Sequence, residues 1–259
     1  MRIAALYDIH ANLPALEAVL EDVHRIGIDQ IVVGGDVVPG PMPREALALL
    51  SSLDIPVQFI HGNGELAVVA QIGATEPASV TYWGTTSGEP PPDPIRGVLR
   101  WTADQIRPDY EGVLRSWPKT RRLHVSGLGD ILFCHGTPRS ETECFTRLTP
   151  EALVAPAFEG TDAAVVMCGH THMQFDRIIS GLRVVNAGSV GMPFGRTGAD
   201  WALLGPDVQL RHTSYDLQKG AARIRDTSYP QAFEFAEQNV LQSPSEAAML
   251  KAFTNASFR

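Results

Sequence analysis

The chain has 259 residues, enough for one large domain or one domain with additions, and enough to bury a core without disulfides. Its composition, 44% apolar and 19% charged, excludes wholesale disorder. A formal charge of -8 excludes a protein that coats nucleic acid with a basic face. No apolar run approaches the roughly 18 residues of a membrane span, and Asp8 and His10 interrupt the apolar start before any cleavage-site pattern. Three cysteines (Cys134, Cys144, Cys168) without a C-x-x-C spacing cannot form a paired framework. They are expected to be buried reduced thiols in a cytoplasmic protein.

In chain order, residues 2–7 form a short apolar strand that ends in Asp8. Leu13, Leu16, Val19, Leu20, Val23 and Ile26 then recur at spacings of three and four, which predicts a helix over 12–27. Asn12 is its N-cap, Pro14 sits in the first turn, and Gly27 stops it. A strand at 31–33 runs into Gly34-Gly35-Asp36, a helix covers about 43–53, and a strand at 56–60 leads to Gly62-Asn63. Alternation with short loops means βαβ units and a largely parallel start to a sheet.

Residues from about 74 to 118 break this rhythm. The run Glu89-Pro90-Pro91-Pro92-Asp93-Pro94 excludes regular structure, and Tyr82, Trp83, Trp101, Tyr110 and Trp117 surround it. The segment reads as an insertion with a helix near 95–107. Its rings form a small satellite core or an oligomer contact; in the sharper reading, Trp83 and Trp101 are a lid that stacks on a base or sugar. Beyond it, strands at 120–126 and 130–134 flank the hairpin signal Gly127-Leu128-Gly129. A helix follows over 149–158, then a buried strand from Ala163 to Met167. Strands at 174–179, 182–186, 200–204 and 207–213 give this half an antiparallel flavour. The tail, about 214–259, reads as short helices whose Phe233, Phe235, Val240 and Leu241 cover the core or form a dimer surface. One domain over 1–259, a mixed two-sheet α/β sandwich, accounts for the pattern.

Five polar clusters stand at the C-terminal ends of apolar strands: Asp8-Ile9-His10, Gly35-Asp36, Gly62-Asn63-Gly64-Glu65, His135-Gly136 and Gly169-His170-Thr171-His172. In open α/β sheets that edge is where ligands bind. Residues two apart in extended chain project to one side, which would make Asp8 with His10, and His170 with His172, paired ligands. Alone, each cluster is turn chemistry; five in succession at strand ends point to a site. Carboxylate, imidazole and amide donors suit manganese, iron, zinc or nickel rather than an all-oxygen calcium or magnesium cage. Two such ions roughly 3.5–4 Å apart, bridged by Asp36, would clamp the attacking and leaving oxygens of a displacement.

The order D-x-H, G-D, G-N-H-[DE], H and G-H-x-H across residues 8–172 resembles the calcineurin-like metallophosphoesterase superfamily. Residues 7–16 (YDIHANLPAL) are similar to the opening of its small bacterial and archaeal phosphodiesterase branch. So is Asn186-Ala187-Gly188-Ser189-Val190-Gly191, with Ala187 where that branch has proline. The resemblance spans about 1–213 apart from the aromatic insertion. It implies a four-layer α/β/β/α sandwich with flanking helices. It also implies one metal on Asp8, His10, Asp36 and His172, and a second on Asp36, Asn63, His135 and His170. Manganese is the first expectation. The nucleophile would be a hydroxide between the ions, attacking in line on a small, nucleotide-like phosphate ester. Phosphodiester hydrolysis is the leading expectation; a phosphomonoesterase and a non-catalytic metal-binding scaffold are the rivals. Neither membrane nor broad nucleic-acid binding is expected; a homo-oligomer and a monomer both stay open.

One departure stands out. The family's G-N-H-[DE] reads Gly62-Asn63-Gly64-Glu65, so the histidine that steadies the transition state or protonates the leaving group is absent. General acid help is worth ~10²–10⁴-fold. His61, two residues before Asn63, either replaces part of it, joining Asp36, Asn63 and His170 as the catalytic set, or is a strand-end histidine that packs or contacts water. Other polar residues carry bland expectations. His24, His124 and His212 are structural or solvent-facing, Arg139 is a surface cation or an anion contact, Ser189 packs a turn or lines the cleft, and Glu65 supports a helix start.

Overall fold

The structure, a computed structural model, describes residues 1–74, 91–107 and 109–255. Tyr82, Trp83 and the start of the proline run therefore lie outside the described residues. The chain begins with β1 (Ile3–Leu6), α1 (Leu13–Ile26), β2 (Gln30–Val33), α2 (Pro43–Ser51), β3 (Val57–Phe59) and α3 (Asn63–Val69). Helix α1 starts and stops as its sequence dictates. The Asn12 side chain accepts from the Ala15 N–H, and Gly27 turns left-handed (φ 72°) to donate back to the Val23 and His24 carbonyls. Helices α4 (Asp93–Ile106) and α5 (Glu111–Ser116) follow.

The second half contains β4 (Thr120–Val125), β5 (Gly129–Cys134), α6 (Glu151–Val154), β6 (Val165–Cys168), β7 (Phe175–Ile179), β8 (Leu182–Asn186), β9 (Ala199–Leu204) and β10 (Val208–Thr213). The helix expected over 149–158 is a single turn, α6, followed by a 3₁₀ turn at Ala155–Ala157; Pro156, with no N–H to give, does not continue an α-helical ladder. The tail forms α7 (Leu217–Arg225), α8 (Ala232–Phe235) running into a π-helical stretch at Ala236–Leu241, and α9 (Glu246–Asn255). Among the described residues no helix is long and apolar enough to cross a membrane.

Two five-stranded sheets result, ordered β10-β9-β1-β2-β3 and β4-β5-β6-β8-β7. The first has the expected parallel β1-β2-β3 run, with β9 and β10 added antiparallel. The second departs from the antiparallel expectation. Its hairpins β4–β5 and β7–β8 are antiparallel, but β5, β6 and β8 pair in parallel. The long 135–164 crossover containing α6 makes the first of those pairings attainable.

Ile3, Ala5, Tyr7 and Val32 of the first sheet meet Ile131, Phe133, Met167 and Val185 of the second in a buried layer. Alternate residues of the first sheet, Ala4, Leu6, Ile31 and Val33, face α1, α2, α4 and α5 on its outer side. The outer face of the second sheet packs on Val154, Ala157 and Phe158. This is the α/β/β/α layering. The described aromatic rings of the 74–118 segment are packing groups. Trp117 stacks on Phe59 with centroids 4.6 Å apart, and Trp101 meets Tyr229 edge-on at 5.4 Å in a cluster shared with α7 and α8. Of the tail residues singled out above, Phe235 and Val240 are buried in that cluster and Phe233 is exposed.

Candidate metal centre

All five polar clusters follow strands within the two sheets, directly after β1, β2, β3, β5 and β6, and their side chains converge. Asp8, His10 and His172 form one group of donor atoms, and Asp36, His135 and His170 a second; within each group the atoms lie within 4.8 Å of one another. The carboxylates knit the two together. Asp8 Oδ1 lies 3.4 Å from His172 Nε2 and 3.8 Å from His135 Nε2, while Asp36 reaches His135 Nε2 with Oδ1 (3.5 Å) and His10 Nε2 with Oδ2 (3.9 Å). Asn63, the first residue of α3, places its Oδ1 3.1 Å from His135 Nε2. All seven residues singled out as metal ligands thus meet in one place.

They do not meet for the reason that extended-chain geometry suggested. Asp8, His10, Asp36, His170 and His172 all have left-handed backbone, with φ between 45° and 65°, and so does Ala11. His170 and His172 are consequently not a pair on one side: they serve different groups. Left-handed backbone in non-glycine residues costs about 1–3 kcal/mol apiece and persists only where surrounding contacts impose it. Here those contacts are visible. The His10 N–H donates to the Asp36 carbonyl (2.9 Å), the Ala11 N–H to the Val37 carbonyl (2.7 Å), and the Gly191 N–H to the Asp8 carbonyl (3.0 Å).

Hydrogen bonds at the far side of the imidazoles set what the near side can do. His135 Nδ1 lies 2.9 Å from the Gly34 carbonyl, His172 Nδ1 2.9 Å from that of Met192, and His10 Nδ1 3.3 Å from that of Pro39. A carbonyl can only accept, so each Nδ1 carries a proton, and in a neutral ring Nε2 then presents a lone pair. Two such lone pairs, on His10 and His172, then face each other at 3.1 Å. His135 Nε2, 3.1 Å from Asn63 Oδ1, can donate to it only while the ring carries a second proton. Among the described residues, buried Asp8 Oδ1 and His170 Nδ1 have no hydrogen-bond partner. Acceptors crowded against acceptors are unfavourable unless a cation lies between them, and carbonyl-anchored imidazoles are the arrangement metal ligands adopt. The residues present fit divalent ions.

The proton affinities carry the same imprint. Against burial, which would lower it, Asp36 and Asp8 push His135 up to about 10. Burial, reinforced by His135, drives His170 down to about 4. Burial and His172 lower His10. Despite their own burial, Asp8 is held below the usual carboxylate range by His172 and His135, and Asp36 by His135.

Glu65 does more than start a helix. Its carboxylate accepts from the N–H groups of Asp36 (2.8 Å), Val37 (2.7 Å), Val38 (3.2 Å) and Gly62 (2.7 Å), tying the loop after β2 to α3. Burial and Asp36 push it up to about 7 against the pull of those donors. Gly64 has no room for a side chain: its N–H donates to Asp36 Oδ1 at 2.6 Å, and an added Cβ would lie 2.8 Å from that oxygen and closer still to the Val38 carbonyl. His61 is half-buried, with a buried Nδ1 that has no partner, and burial lowers its pKa. Among the minor candidates, Ser189 is fully buried and donates to the Asp8 carbonyl (2.7 Å), so it packs the turn. Arg139 pairs with Glu143 at 2.6 Å. His124 and His212 pair with Asp130 and Asp200.

Two neighbours escaped sequence reasoning. Cys144 Sγ lies 3.0 Å from His170 Nε2, and the Phe194 ring stacks on His172 with centroids 4.9 Å apart. Neither belongs to a spacing pattern. The other two thiols are buried at the last residues of β5 and β6, as expected.

Parallel strands from two stacked sheets, ending in a doubled carboxylate–imidazole cluster, define a metallohydrolase-type centre on an α/β sandwich. The chain belongs to the calcineurin-like phosphoesterase superfamily, whose domain model matches residues 1–207. That family uses divalent metal ions and acts on phosphate esters. The fold is similar to that of a hypothetical protein from Pyrococcus horikoshii (TM-score 0.73, 22% identity, 91% of this chain and 97% of that one). It is also similar to that of a metallophosphoesterase from Sphaerobacter thermophilus (TM-score 0.66, 26% identity, 93% and 100%). In sequence, an uncharacterized protein of Methanocaldococcus jannaschii is 25% identical over 249 residues, covering 88% of this chain and 94% of the relative.

Proposed function

We propose that this protein is a dinuclear metal-dependent phosphodiesterase acting on a small, nucleotide-like phosphate ester. The observation that supports it most is the pair of adjoining donor groups, each with its own carboxylate and with Asp36 reaching imidazoles of both, and with acceptor atoms left unpaired in a buried site. Asp8, His10, Asp36 and His172 would hold one ion, and Asp36, Asn63, His135 and His170 the other. Manganese is the first candidate on donor type. Bound there, divalent ions would supply Lewis acidity, lowering the pKa of a coordinated water and offsetting charge on the phosphoryl oxygens.

The chain's own part is preorganisation. The Gly34, Pro39 and Met192 carbonyls orient three imidazoles through their Nδ1 protons, leaving Nε2 to face the site, and Glu65 fixes the backbone that carries Asp36. Departure of the leaving oxygen needs a proton, and position 64 offers no side chain to give one. His61 is our assignment for that donor: its ring is half-exposed, its Nδ1 is uncommitted, and it lies close enough to His135 to feel its charge. An incomplete acid favours better leaving groups, which is why we place diesters ahead of monoesters.

The test is metal analysis of the purified protein, then turnover of bis(p-nitrophenyl) phosphate and p-nitrophenyl phosphate with and without added Mn²⁺. Metal-dependent hydrolysis that favours the diester is the expected result. Faster monoester turnover would make the protein a phosphatase, and bound metal without turnover of either would make it a scaffold.

A further inference from the structure

The family match ends at residue 207, yet the chain beyond it is fastened to the candidate centre through one loop, 189–195. At its start, Ser189 Oγ and the Gly191 N–H both donate to the Asp8 carbonyl. In its middle, the Met192 carbonyl accepts from His172 Nδ1 at 2.9 Å. Near its end, Phe194 lays its ring on the His172 imidazole, planes 27° apart, and donates its N–H to the His172 carbonyl at 3.2 Å.

The loop is bend and turn, with no ladder of its own. The C-terminal segment holds it. Ser243 Oγ donates to the Pro193 carbonyl (2.6 Å), and the Gly195 N–H to the Pro244 carbonyl (2.9 Å). From α9, Phe253 approaches Phe194 with centroids 6.4 Å apart, in an apolar cluster with Leu250 and Met173. An ion pair from Glu246 to Arg147 anchors the start of α9 to the body of the fold. Met192 packs into the separate cluster formed with α7 and α8.

We infer that Phe194 is a positioning residue for His172, and that α9 is the brace that keeps it in place. Through them, the chain beyond the family core sets the cation affinity of the Asp8–His10–His172 group. The inference rests on reading that group as a metal site. Its logic is preorganisation. An imidazole free to turn about its own bonds must be ordered when a cation binds, whereas a ring stacked on one face and hydrogen-bonded at Nδ1 is ordered beforehand. Loss of such outer support typically lowers metal affinity about 10–100-fold. In the Asp36–His135–His170 group, His135 is anchored on the Gly34 carbonyl and His170 meets the same cluster only through Cys144, so that group should be affected less.

The test is calorimetric titration of Mn²⁺ into metal-free full-length protein. Phe194→Ala should weaken one of two binding events about 10-fold or more and leave the other nearly unchanged. Phe194→Tyr, which keeps the ring, should restore it. Phe253→Ala, which leaves the stacked ring present but unbraced, should fall between and serves if Phe194→Ala does not fold. Val154→Ala, a buried truncation on the outer face of the second sheet, should lower Tm with both binding events intact. Unchanged affinities in Phe194→Ala and Phe253→Ala would overturn the inference, as would equal weakening in Val154→Ala. Wild-type protein that binds no Mn²⁺ would remove the metal-site reading itself, and this inference with it.

Discussion

Consider replacing Gly64 by alanine. Gly64 is the second residue of α3, in helical backbone, where alanine is ordinarily better than glycine by about 1 kcal/mol. By propensity alone the variant should be more stable. The surroundings reverse the sign. A Cβ there would sit 2.8 Å from Asp36 Oδ1, roughly 0.6 Å short of ordinary contact, and deeper still into the Val38 carbonyl oxygen. Neither neighbour yields easily. Asp36 Oδ1 is engaged by the Gly64 N–H, and the Val38 N–H is bonded to buried Glu65. Overpacking against such neighbours costs about 1–3 kcal/mol or more. The expected balance is a net loss of up to about 2 kcal/mol, or about 4–8 °C in Tm for a chain of this size. Because the oxygen displaced belongs to the carboxylate shared between the two groups, Mn²⁺ affinity should fall as well. Thermal melts of metal-free protein and Mn²⁺ titrations read the two effects separately. Gly64→His, which restores the family's motif on paper, should be worse than Gly64→Ala and should not raise diester turnover. A Gly64→Ala protein as stable as wild type with unchanged Mn²⁺ binding, or a Gly64→His protein with raised turnover, would refute the steric argument.

Glu65→Gln, examined at pH 8 with Mn²⁺ present, should cost at least about 1.5–3 kcal/mol by denaturant unfolding, because an amide nitrogen cannot accept from the N–H groups that the carboxylate serves. His61→Ala should slow an unactivated diester about 10²-fold while barely affecting bis(p-nitrophenyl) phosphate, whose leaving group needs little protonation; equal effects on both would remove the proton-donor role. Metal-free protein should lose stability as pH rises from about 7 to 10. The His135 value is raised in the folded state, so its contribution is complete below the unfolded value of about 6.5 and disappears as pH passes through about 10. Melts of chelator-treated protein across that range, flat or rising, would contradict this. Mn²⁺ affinity should climb over the same interval, since the cation must displace that proton.

The architecture was legible wherever burial follows a period. The apolar spacing of α1 and the strand–cluster–helix rhythm of the first 70 residues placed β1, β2 and β3; cluster composition at strand ends marked the site, and the family resemblance supplied the full set of seven candidate ligands. Pairing direction in the second sheet was not legible. A short apolar strand such as β6 reads alike in either sense, and only the connection through 135–164 decides. Asp8 and His10 do share a group, but the direction of His170 relative to His172 was misjudged, because left-handed backbone there is imposed by contacts from elsewhere, such as the Asp8 carboxylate that accepts from the His170 N–H. Phe194 and Cys144 were invisible for a related reason: each touches its histidine across a separation that no local period encodes. Glu65 was half read, since the helix-start role is local and the three bonds to residues 36–38 are not.

The left-handed turns at Asp8, His10, Asp36, His170 and His172 have a consequence for how this chain would change under selection. Glycine adopts that backbone without strain. Substitution by glycine at His10, His170 or His172 would relieve strain and also delete a crowded donor, whereas Asp8 and Asp36 hold the His135 charge and accept backbone N–H groups. In a screen that scores only the folding of metal-free protein, the most favourable substitutions should therefore gather at these three ligand positions. A stability-ranked mutational map would outline the centre as a patch of gains rather than losses. A lineage released from the need for metal should lose these residues first, with the sandwich left standing.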